Sequence, residues 1–140
     1  TLSSTDLPTH GDFILATSSP DDWRSPQNTN LWQGVSGVNN PCPSGYRLPT
    51  QIELNAERLS WSTNTSAGAF ASPLKLTVAG FRNYGNGNLV SVNGTGFYWC
   101  STVNGADSYA LYFNNPFLGG LVRMTTSSRA YGSSVRCLKN

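Results

Sequence analysis

The sequence predicts an α+β domain, and three observations predict it. A helix-start signal stands at Thr50, where Glu53 follows three residues on and can complete a capping box. From Pro73 onward the chain breaks into short β-branched and aromatic runs. The links between them, at residues 84–88 (Tyr-Gly-Asn-Gly-Asn) and 93–96 (Asn-Gly-Thr-Gly), are rich in residues that accept the positive φ of tight hairpins. One helix followed by strands joined through polar turns is the pattern of an α+β fold.

In chain order, residues 1–40 are rich in Pro, Asn, Ser and Asp, with an apolar island at Phe13, Ile14 and Leu15 and aromatic anchors at Trp23 and Trp32. They read as a loop-rich arm with one short strand near residues 12–16. No linker or break in composition follows, so one domain over residues 1–140 is expected, with the arm packed on the rest. Residues 40–50 carry Pro41, Pro43, Gly45 and Pro49, which hold them in extended and turn conformations. A helix then begins at Gln51, with Ile52, Leu54, Ala56, Leu59 and Trp61 on a partly apolar face, and ends in the Ser/Thr/Asn run from Ser60 to Ser66. It is the only helix expected. Strands are expected at 74–81, 89–92, 96–101, 108–113, 120–124 and 134–138, with Leu48, Ile52, Val78, Trp99 and Val135 in the core. There is no internal repeat.

Composition narrows the function. Charged residues make up only 11% of the chain, well under the usual quarter or so, which leaves a surface of Asn, Ser, Thr and Gly suited to hydrogen-bonded contacts. The net charge is +2 and the nine Lys and Arg are scattered, so no basic track exists for a phosphate backbone and nucleic-acid binding is not expected. No run approaches the ~20 apolar residues of a membrane span, and Thr1 to His10 lack the basic and apolar regions of a signal peptide. No membrane insertion is expected.

His10 is the single histidine, and Cys42, Cys100 and Cys137 show no Cys-x-x-Cys spacing, so neither a zinc site nor any other metal or cofactor is expected. One disulfide would leave one thiol free, with three pairings open. Asp21, Asp22, Glu53 and Glu57 read as solvated faces or helix caps, and no Ser/His/Asp set or carboxylate pair stands out. No catalysis is expected. Trp32, Trp61 and Trp99 could stack on sugars, but core packing is the better reading.

Three ordered blocks go further: residues 42–50 (Cys-Pro-Ser-Gly-Tyr-Arg-Leu-Pro-Thr), 98–102 (Tyr-Trp-Cys-Ser-Thr) and 129–139 (Arg-Ala-Tyr-Gly-Ser-Ser-Val-Arg-Cys-Leu-Lys). From about Leu31 to the C-terminus the chain resembles the paralogous bacterial surface domains first noted in Fibrobacter. These are related to the formylglycine-generating-enzyme branch of the C-type-lectin fold, and the variable proteins of diversity-generating retroelements use the same scaffold. The resemblance implies a C-type-lectin fold whose terminal strands lie side by side, and hence a Cys42–Cys137 disulfide. It implies a secreted, cell-surface or virion-associated protein. Cys100 stands where relatives commonly have Ser, a change that one adenine substitution makes, as retroelement mutagenesis does.

The same resemblance implies a variable region at 96–134 that displays a surface for a protein or other macromolecular ligand. Its aromatic and apolar candidates are Phe97, Tyr109, Tyr112, Phe117, Leu118 and Tyr131. The polar candidates are Asp107, Ser108, Asn114, Arg123, Thr125, Ser127, Ser128 and Ser133. Tyr and Phe offer contact area at low rotamer cost, while Ser, Thr and Asn adapt their hydrogen bonds. The Glu-Pro-Asn, Gln-Pro-Asp and Trp-Asn-Asp motifs of calcium-dependent sugar binding are missing. An assembly module of an adhesin or virion is the alternative role, and a formylglycine-generating-like oxidase is a more distant one.

Overall fold

The computed structural model describes residues 1–140. It is an α+β fold of two helices and three small antiparallel sheets. Strands β1 (Tyr46–Arg47) and β7 (Leu138–Lys139) pair and bring the start of the body beside its end. Cys42 and Cys137 are joined by a disulfide next to this ladder, and Cys100 is free and buried. The hairpin of β2 (Phe81–Arg82) and β3 (Leu89–Val90) forms a second sheet. The third and largest contains β4 (Thr95–Asn104), β5 (Asp107–Asn114) and β6 (Val122–Ser128), in that order.

Helix α1 (Gln51–Leu59) starts where the capping signal places it. The Thr50 hydroxyl accepts from the Glu53 N–H (3.3 Å), and the Glu53 carboxylate accepts from the Thr50 N–H (2.8 Å). Arg47 donates both terminal nitrogens to that carboxylate, at 2.8 and 2.7 Å. These bonds, Arg47's first and Thr50's next, hold the Glu53 carboxyl well below its usual range, at about 2. Leu54 is the residue that α1 buries, whereas Ile52 is 77% exposed, against expectation. Two residues span about 200° of a helix, so Ile52 lies on the face opposite Leu54.

A second helix, α2 (Ser66–Ala71), follows, against the expectation of a single helix. The Ser/Thr run that ends α1 also supplies its N-cap, the Thr65 hydroxyl accepting from the Gly68 N–H. A Cβ on Gly68 would lie 1.9 Å from the Thr63 carbonyl oxygen, so only glycine lets this turn close.

The strand reading needs other corrections. Residues 12–16 form no strand, and Ala16 donates its N–H to the Tyr84 carbonyl instead. Of 74–81 only Phe81 is in a strand, because Lys75 takes a positive φ and the Thr77 N–H is held by the Tyr98 hydroxyl. Of 134–138 only Leu138 is in a strand, with Ser134 in an isolated bridge to Tyr98. β6 starts later than Gly120, which with Gly119 takes positive φ in the preceding turn, and runs on to Ser128.

Alternation along β4–β6 sorts their residues onto two faces. Tyr98, Cys100, Leu111, Phe113 and Val122 point to a core closed by Leu54, Ala69 and Leu76, with Val78 packed at its margin. Phe113 stacks on Tyr98 (6.0 Å) and meets Trp61 edge-on (5.9 Å). A Cβ on Gly96 would lie 2.2 Å from the Phe113 ring, so glycine is needed opposite it. On the other face, Trp99 and Ala110 pack with Leu48, Trp32 and Val135 in a smaller cluster.

The arm folds against that second face. Asp22, expected on a solvated face, is 3% exposed and lies 3.6 Å from Arg129. It also accepts from Gln27 Nε2 and the Arg24 N–H. Only the fold brings Arg129, far along the chain, to this carboxylate. No helix is long and apolar enough to cross a membrane.

Candidate functional site

Past the Trp99 cluster, the second face of the sheet opens into a groove of about 340 Å³. The segment after β6 builds its wall. Gly132 exchanges backbone hydrogen bonds with Arg82 (2.8 and 3.1 Å), and Ser134 bonds both Trp99 and Phe97 of β4 (3.0 and 2.9 Å). This strap ties the β2–β3 hairpin to the sheet and hangs Tyr131 over the groove. The register of the sheet sets the floor: Phe97 lies opposite Tyr112, and Tyr112 opposite Arg123.

The aromatic rings form a chain. Tyr84 meets Tyr131 at 4.7 Å, Tyr131 meets Phe81 at 5.5 Å, Phe81 meets Phe97 at 5.8 Å and Phe97 meets Tyr112 at 5.8 Å. Their planes cross at 60° to 88°, the mutual edge-to-face packing that ring quadrupoles favour. The Arg123 guanidinium lies 5.7 Å over the Tyr112 ring, within cation–π range. Burial, followed by the proximity of Tyr84 and Asp21, raises the Tyr131 phenol's pKa, so its hydroxyl stays neutral. No carboxylate lines the groove, and Arg123 belongs to no ion pair. The site is therefore of mixed character, with the rings of Phe81, Phe97, Tyr112 and Tyr131 set among the hydroxyls of Ser91, Thr95, Thr125, Thr126 and Ser127, and it carries one cation, Arg123.

Six of the fourteen residues expected on the binding surface meet here: Phe97, Tyr112, Arg123, Thr125, Ser127 and Tyr131. The other eight do not. Ser108 shares the face but lies at its closed end, beside Asp22, Trp99 and Arg129 in a small cavity of about 40 Å³. Asp107 and Ser128 are paired next to it, at that same end of the sheet, and are half-buried. Tyr109 packs against the main core, one residue out of phase with the groove. Asn114 is only 6% exposed and is a structural residue, because its amide donates to the Leu118 carbonyl (2.7 Å) while its oxygen accepts from the Leu121 N–H. Ser133 is half-buried, with its hydroxyl oxygen inside the protein and unbonded.

Phe117 and Leu118 are exposed, Phe117 at 96%, on the 3₁₀ turn Pro116–Leu118 between β5 and β6. Sequence reasoning missed Phe81, Ser91, Thr95 and Thr126. Phe81 carried a signal, as an aromatic at the end of an expected strand, but its partner Phe97 is set by long-range pairing.

Burial raises the Cys100 thiol to about 12, so it stays protonated and inaccessible. No three of the His, Cys, Asp and Glu side chains come together as metal ligands could. No protein-family model, curated protein or solved structure matches the chain.

Proposed function

We propose that the chain is a ligand-binding display domain of C-type-lectin type, in which a sequence-variable surface from the second half recognises a protein or other macromolecular ligand. One observation carries this reading. Six residues singled out by the resemblance, scattered from 97 to 131, converge on one open groove of paratope-like composition. The paired terminal strands and the disulfide beside them agree with the lectin-type scaffold. A disulfide of this kind suits an oxidising compartment, hence a secreted, surface or virion-associated protein. The role is binding without catalysis or cofactor: an oxidase of the related branch would need a reactive cysteine pair, whereas here Cys137 is bonded to Cys42 and Cys100 is buried as the thiol.

The test is a set of folded variants assayed against a panel of cell-surface proteins and glycans. Tyr112→Ala should abolish capture of whatever ligand the native chain takes, while costing only ~1 kcal/mol of stability, the worth of a partly exposed ring contact. If every variant that loses binding also unfolds, the assembly-module role replaces this one.

A further inference from the structure

We propose that β6 and the groove beside it take an extended polypeptide segment, which joins the sheet as a fourth strand and sets an acidic side chain against Arg123. The inference rests on the ligand-binding reading above and names the chemistry of that ligand. β4 is covered on its outer side by the strap at Ser134, but β6 pairs only with β5 and forms the free edge of the sheet. No backbone group of residues 122–127 bonds any other segment, so its outward N–H and C=O groups stand ready for a further strand.

Free edges are normally blunted by Pro, by bulges or by several charges. β6 (Val-Arg-Met-Thr-Thr-Ser-Ser) has no Pro, keeps regular register with β5 over all seven residues and bears one charge. That charge is Arg123, which has no acidic partner and lines the groove together with Thr125 and Ser127 of the same strand. An added strand alternates its side chains, so every second one would enter the groove beside Arg123, Thr125 and Ser127. A carboxylate there gains a guanidinium partner in a site with no competing acid.

An acidic sugar could offer the same charge. The rings argue against it, because they pack edge-to-face on one another and Arg123 covers Tyr112, which leaves little flat ring surface for a pyranose to stack on.

The experiment uses the intact chain as bait for a displayed library of random peptides about nine residues long, enough to cover the seven residues of β6. Sialylated and uronic-acid oligosaccharides are assayed in parallel. Enriched peptides should carry Asp or Glu, and their affinity should fall about tenfold or more in Arg123→Gln and recover in part in Arg123→Lys. N-methylation of alternate peptide amides should abolish binding, and the bound peptide should slow amide exchange within residues 122–128. The proposal is overturned if no peptide is enriched, if Arg123→Gln binds equally well, or if only the acidic oligosaccharides bind. Binding that Tyr112→Ala removes but N-methylation leaves intact would keep the ligand-binding face and eliminate strand addition.

Discussion

The two faces of the β4–β6 sheet are built by the same strands, residue by alternate residue, and yet they serve opposite ends. The first holds Tyr98, Leu111, Phe113 and Val122 and is sealed by Leu54, Ala69 and Leu76 from the helical side. The second is sealed at one end only, where Leu48 and Trp32 cover Trp99, and is open where Phe97, Tyr112 and Arg123 line the groove. Both faces are aromatic. What separates them is cover: the first meets two helices, while the second meets an arm at its closed end and a short hairpin and strap that wall the groove without closing it. An open groove can thus arise among core-like residues where part of a sheet face is left without a lid.

The sharpest way to break this comparison is to truncate one aromatic on the sealed face. Phe113→Ala should cost ~3 to 5 kcal/mol in chemical denaturation, since it removes a ring packed between Tyr98, Trp61 and Gly96. A loss as small as that expected for Tyr112→Ala would mean the two faces do not differ. At the closed end of the second face, Asp22→Ala should cost ~3 kcal/mol and expose the arm to proteolysis, because it takes the carboxylate away from the buried Arg129 guanidinium and leaves it only backbone carbonyls as partners.

A smaller effect separates the cap of α1 from both faces. Glu53 has a depressed pKa when folded, so its contribution is present above its ordinary value near 4.5 and lost as pH falls towards about 2. The native chain should lose stability across that acid window, and Glu53→Gln should flatten this limb in denaturation curves taken at successive pH values. The smallest effect belongs to the tip of the β5–β6 hairpin. Phe117→Ser should leave the melting temperature nearly unchanged, within ~0.5 kcal/mol, because the ring touches almost nothing of its own chain.

The sequence by itself determined what is local. Thr50 and Glu53 set the start of α1, since a capping box needs only neighbours three residues apart. The α+β class and the place of β4 and β5 were legible from apolar runs and turn residues, although β4 runs three residues past the expected 96–101. A shared surface for Phe97, Tyr112, Arg123 and Tyr131 was an expectation from the family resemblance and from the Tyr, Phe, Ser, Thr and Asn concentrated in that stretch, whereas their meeting along one groove follows from strand register and the strap. Tertiary structure decided which face each residue joined. Tyr109 and Tyr112 look alike in a strand that sets one tyrosine on each face, with both faces at least partly buried, and a period of two cannot say which phase meets the helices. Ile52 and Leu54 were equally apolar, and the sheet's position against α1 alone sent Leu54 inward. Asp22 read as a solvated carboxylate because its partner, Arg129, arrives from the other end of the chain, and pairings over such distances are set by the packed fold and not by local preference.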